Sequence, residues 1–139
     1  MVAPDVVAAK LRTIQRCLDR LADVERRRPQ LEPLDYEDLT ALLLQRAVQA
    51  AIDLASHVAT SEGYGPPDST AEFFGLLWQH GILSKDLATR LQKMVGFRNI
   101  AIHEYQNLDP AIVESILEHH LDDLRALGEQ VVRHLGLAK

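Results

Sequence analysis

Arg98, His103 and Tyr105 stand in the order arginine, four residues, histidine, one residue, tyrosine, with Asn99 directly after the arginine. These residue types suit phosphodiester chemistry. Cutting RNA without a metal requires one group to take the proton of the 2′-hydroxyl and another to protonate the leaving 5′-oxygen. It also requires fixed positive charge where the pentacoordinate phosphate becomes more negative. Histidine exchanges protons near neutral pH. Arginine carries a permanent planar fork that matches phosphate oxygens. His103 and Arg98 have the side chains for these two jobs.

On a regular helix, at about 100° per residue, five positions place His103 roughly 140° round from Arg98. Seven positions return Tyr105 to within roughly 20° of Arg98. An unbroken helix would align Arg98 with Tyr105 and turn His103 away. Either the helix ends or bends inside the motif, or the working site combines groups from two chains.

The elements that must position these groups read as helices. Val7, Leu11, Ile14, Leu18 and Leu21 recur at four- and three-residue steps, predicting an amphipathic helix from Val6 to about Arg28. Arg26-Arg27-Arg28 before Pro29 marks its end and reads as a solvated helix terminus rather than a nucleic-acid contact. Asp35, with Asp38 three residues later, is the expected cap of a second helix reaching about Ser61, its stripe made by Leu39, Leu43, Ala47, Ala50, Leu54 and Val58. Asp53 and His57 lie beside that stripe. A half-buried carboxylate needs a partner, and for Asp53 either Arg98 or a surface cation would serve.

Residues 62–68 read as a loop. Ser69 with Glu72 has the pattern of a capping box opening a short helix through Phe73, Phe74 and Trp78. These aromatics lack interleaved cations and read as a core plug. Ser84 is the expected cap of the next helix, along which Leu87, Leu91, Met94 and Arg98 form one inward stripe. An inward arginine is costly unless paired or lining a polar cleft, which favours a functional reading of Arg98. Asp109-Pro110 predicts a cap and first residue of a final helix ending near Gly136. Nothing alternates with period two. The expected architecture is all-α, a bundle of four long helices and one short one, forming a single domain over residues 1–139.

Around Arg98–Tyr105, and along Ala47–Val58 of the second helix, the sequence resembles the HepT-like branch of the HEPN ribonuclease superfamily. The resemblance covers roughly Leu39 to Leu127, and the first helix matches only in length and pattern. It implies a HEPN-type helical bundle acting as the toxin of a bacterial type II toxin–antitoxin module: an endoribonuclease that cuts RNA without a cofactor or metal. It further implies a homodimer with both motifs facing one cleft and catalysis by Arg98 and His103. Asn99 and Tyr105, with Asp53, are expected in support. The partner would be a cognate minimal nucleotidyltransferase antitoxin, which neutralises the toxin by adenylylation of Tyr105. A bulky anionic group there would fill the cationic pocket.

Composition narrows the alternatives. Apolar and charged fractions of 47% and 25% are ordinary for a globular chain. The net charge of −5 argues against broad coating of nucleic acid but not against cleavage in a local cationic pocket. One cysteine, Cys17, permits no intrachain disulfide and suits a reducing cytoplasm. No signal peptide is apparent, and the apolar patch Ala41–Ile52 is too short to span a bilayer. The six histidines form no compact ligand set. His119-His120 with Asp122-Asp123 reads as a solvated face. Phosphate-loop, dinucleotide and nucleophile-elbow motifs are absent. The acidic charge keeps a second reading open, a non-catalytic helical dimer or interaction module that binds a nucleotidyltransferase partner.

Overall fold

The computed structural model describes residues 2–136. Six α-helices follow one another: α1 Pro4–Arg26, α2 Pro33–Ser61, α3 Glu72–Gln79, α4 Lys85–His103, α5 Pro110–His119 and α6 Leu121–Leu135. Short 3₁₀ turns lie at Arg28–Gln30 and Tyr105–Asn107. Among the described residues there is no strand. The bundle is therefore all-α, as the periodicity predicts, with one more helix than expected.

At its centre is α2, packed against α1, α3, α4, α5 and α6. It is buried on most sides, with Leu44, Ala47, Ala51, Leu54, Ala55, Val58 and Ala59 wholly shielded. Its many alanines let neighbouring helices approach. Where α6 crosses α1, Gly128 does the same, since a Cβ there would come within 2.8 Å of Leu11 Cδ2. The end of α1 comes where the arginine run begins: Arg26 and Arg27 both turn back to Asp23, at 2.9 and 3.1 Å.

Three local expectations are corrected. Asp35 is not the cap of α2. The helix begins earlier, with Glu32 at the N-cap and Pro33 in the first turn, where a missing N–H costs nothing. Ser69 and Glu72 do not form a capping box. Residues 69–71 make a turn, α3 starts at Glu72, and the Glu72 carboxylate accepts from the Asp68 N–H at 2.9 Å. The final helix is two, broken at His120, whose backbone leaves the helical region at φ −127° and ψ 2°.

The break has a physical purpose in packing. It brings Asp123, in the first turn of α6, into the interior, where Arg90 Nε of α4 donates to it at 3.0 Å and His120 Nδ1 lies at 3.2 Å. Asp123 is thus buried rather than part of a solvated face. Among the aromatics, Phe74 is in the core, but Trp78 is exposed with the Lys85 ammonium 5.6 Å from its ring centre. No described helix is long and apolar enough to cross a membrane.

Candidate functional site

The side chain of Ser84 accepts from the Leu87 N–H at 3.2 Å and starts α4 where its sequence predicts. From there Leu87, Leu91 and Met94 descend into the core, and Arg98 follows on the same face. Arg98 is half-buried. Its Nε is shielded from solvent and has no hydrogen-bond partner, and no ion pair engages it among the described residues. A charged group placed like this is held by its helix rather than by a counterion. Its Nε donor is left unsatisfied among the described residues.

Asn99 is exposed beside it. The helix then continues without a break through Ile100, Ala101 and Ile102 to His103, its exposed last residue. Arg98 and His103 therefore point to different sides of one helix within a single chain.

The helix ends inside the motif, between His103 and Tyr105. Glu104 departs to φ −143° and ψ 48° while its N–H still reaches Ile100 O at 2.8 Å. Tyr105 begins a tight turn closed by the Leu108 N–H on Tyr105 O at 3.0 Å. This turn sets Tyr105 against the first turns of α2, where its hydroxyl donates to Asp38 Oδ1. Burial of the phenol, the bond to Asp38 and the nearby charge of Glu37 push its pKa up to about 12.

Tyr105 and Asp38 border a groove of about 440 Å³ between the starts of α2 and α5. Leu31, Leu34, Leu108 and Val113 supply its apolar wall. On the far wall Arg28 stacks on Tyr36, 4.1 Å from the ring centre, and reaches Glu114 at 3.0 Å. Tyr36 in turn donates to Glu25 at 2.6 Å. Burial and that bond raise the Tyr36 pKa well above the usual phenol value. Arg28 is thus the member of the arginine run with a long-range partner.

Asp53 does not meet Arg98. Lys10 Nζ lies 3.2 Å from one carboxylate oxygen and Gln49 Nε2 2.9 Å from the other. The surface-cation alternative is the one realised, because α1 rather than α4 passes that side of α2. His57, one turn on, accepts the Ala3 N–H on Nε2 at 3.0 Å and anchors the start of α1. Asp38 is the residue that sequence reasoning missed. Its only local signal was a position at a helix start, and its actual partner lies 67 positions away. No group of three or more candidate metal ligands occurs among the described residues.

An all-helical bundle that presents an inward arginine, a histidine at the end of the same helix and a tyrosine in the following turn defines a HEPN-type domain. Residues 11–131 match the family model described as ribonuclease HepT-like, and the chain belongs to that family. It is 38% identical over 120 residues to the mRNA nuclease HepT of Shewanella oneidensis, covering 86% of this chain and 90% of the relative. It is 32% identical over 111 residues to the tRNA nuclease HepT of Aphanizomenon flos-aquae, covering 78% and 76%. Among solved structures, the tri-AMPylated HEPN toxin of Shewanella oneidensis in complex with its MNT antitoxin superposes with a TM-score of 0.87 at 35% identity, over 94% of this chain and 99% of that one. The cytosolic protein YutE of Bacillus subtilis, 12% identical, shares the fold with a TM-score of 0.82 over 96% and 91%.

Proposed function

We propose that this protein is the toxin of a type II toxin–antitoxin module in the cytoplasm, an endoribonuclease that acts as a homodimer. In this reading Arg98 clamps the scissile phosphate and His103 moves the proton. Asn99 and Tyr105 orient the RNA. The 2′-hydroxyl attacks the adjacent phosphorus, the 5′-oxygen leaves, and a cyclic phosphate end remains without metal participation.

The observation that carries this reading is the unpartnered, half-buried Arg98 on the same unbroken helix as the exposed His103. Within one chain the two diverge by roughly 140°. A two-fold axis beside α4 would let the histidine of one protomer face the arginine of the other. The nuclease relatives and their antitoxin complexes support the same reading.

Control rests on the exposed phenol. Tyr105 is the acceptor for a nucleotidyl group delivered by a cognate minimal nucleotidyltransferase, and the attached phosphate blocks the cationic cleft. The AMPylated state of the Shewanella toxin supports it.

The test is cleavage of a labelled RNA pool by the chain expressed without any partner, in excess EDTA, beside a His103→Ala protein of verified mass. Cleavage by the wild type alone supports the assignment. Activity retained by His103→Ala overturns the role of His103. Silence from both, with unmodified mass and a folded dimer, would favour the non-catalytic interaction module.

A further inference from the structure

Tyr105 is held by a residue outside the motif. Its hydroxyl donates to Asp38 Oδ1 while the residue as a whole stays 44% exposed beside the groove. Asp38 is exposed on the first turns of α2, and no ion pair engages it among the described residues. Its carboxylate is therefore aimed at the phenol and open to exchange protons with water.

A phenol whose pKa stands near 12 keeps its proton at neutral pH and is a weak nucleophile. Nucleotidyl transfer to such an oxygen is helped by a base already in contact with the proton, and geometry is the first criterion for that base. Asp38 meets it.

We propose that Asp38 is the catalytic base for modification of Tyr105, accepting the hydroxyl proton as the tyrosine oxygen attacks the α-phosphorus of a magnesium-bound nucleoside triphosphate. This rests on the reading of Tyr105 as the acceptor. The bond from Tyr105 Oη to the α-phosphorus forms and the bond from that phosphorus to the bridging oxygen of the β-phosphate breaks. Pyrophosphate leaves with the electron pair, and the proton passes from Oη to Asp38 and on to solvent. The nucleotidyltransferase supplies the triphosphate and its metal, and the toxin supplies nucleophile and base already joined. Once esterified, the oxygen has no proton to donate. The new phosphodiester is then repelled by Asp38 and Glu37, so the product moves away from α2.

The experiment mixes full-length wild type, Asp38→Asn, Asp38→Glu and Tyr105→Phe proteins with the purified partner nucleotidyltransferase and magnesium ATP. Nucleotide uptake is followed by intact mass between pH 6.5 and 9, and partner binding by size exclusion. For Asp38→Asn the expected result is uptake slowed at least about 100-fold. Its rate should climb about tenfold per pH unit toward the phenol's own ionisation, while the wild type stays nearly flat and Asp38→Glu recovers most of the rate. Asp38→Asn modified at the wild-type rate overturns the proposal. So does a slow variant whose pH profile parallels the wild type, which would make Asp38 a positioning residue. Uptake by Tyr105→Phe equal to wild type would instead overturn the acceptor assignment, and with it the need for a base at that oxygen.

Discussion

Arg90 of α4 and Asp123 of α6 meet at 3.0 Å, with the aspartate side chain only 11% exposed and the arginine side chain 43% exposed. It ties the helix that carries the motif to the C-terminal helix, as does the Ser84 N–H donating to Gln130 Oε1 at 3.0 Å. Removing the arginine leaves a buried carboxylate with only His120 beside it, so Arg90→Ala should cost about 2 kcal/mol. In thermal unfolding followed by circular dichroism, that is a fall in Tm of roughly 6–10 °C. Arg90→Lys should lose less. An unchanged Tm for Arg90→Ala would mean that water compensates Asp123 fully.

The two serines that resemble helix caps in sequence should behave differently. Ser84 accepts a backbone N–H at 3.2 Å, so Ser84→Ala should destabilise by about 1 kcal/mol. Ser69 lies in a turn ahead of α3 and makes no cap bond, so Ser69→Ala should stay within about 0.5 kcal/mol of wild type. Denaturant melts of the two variants decide it; equal losses would contradict the observed start of α3.

Arg98 should show a trade of stability for function. Its Nε is buried without a partner, so Arg98→Met keeps the stem and removes the uncompensated donor. Its Tm should hold or rise, while RNA cleavage falls at least about 100-fold. Asp53→Ala is the contrasting case. Its carboxylate serves Lys10 and Gln49 at the surface, so stability should fall by no more than about 1 kcal/mol. Cleavage should persist. Loss of cleavage in Asp53→Ala would place that carboxylate in the site after all.

The Tyr105 phenol should titrate late. Burial first, then the bond to Asp38 and the charge of Glu37, raise its pKa to about 12 from the ordinary phenol value of 10.0. The folded state thus favours the neutral phenol. That preference adds stability below pH 10 and loses it as pH rises through about 12. Resonances of isotope-labelled tyrosine, assigned by their loss in Tyr105→Phe, would report the midpoint. In Asp38→Asn it should fall part of the way toward 10, because burial remains.

What was legible in the sequence was what depends on neighbours in the chain. Ser84 and Asp109 cap where their side chains predict, since a cap bond reaches only two or three residues. The stripe Leu87, Leu91, Met94 turned Arg98 inward by helical spacing alone, and the unpartnered Nε matches it. The motif's spacing also required the helix to end or a second chain to contribute, and the helix does end, between His103 and Tyr105. Local signals misled at Asp35 and Ser69, because Glu32 and Pro33 start α2 earlier and residues 69–71 form a turn before α3; the other failures depend on which helices become neighbours. Asp53 had two equally suitable cations, and only the path of α1 selects Lys10. Asp123 looked solvated because its burial depends on the break at His120. Asp38 looked like part of a helix start because Tyr105 is 67 positions away.

The distance along the chain between Asp38 and Tyr105 has a consequence for timing. The α1–α2 hairpin is joined by a short connection and packs as soon as both helices exist, whereas the turn at Tyr105–Asn107 buries no residue of its own. Its attachment to α2 must close a loop of 67 positions. A ribosome that has released only the first three helices holds a nascent chain with none of the motif. As synthesis proceeds, Arg98 and His103 emerge before Tyr105 docks. The two groups proposed to carry the chemistry are thus made just before the one proposed to receive the modification.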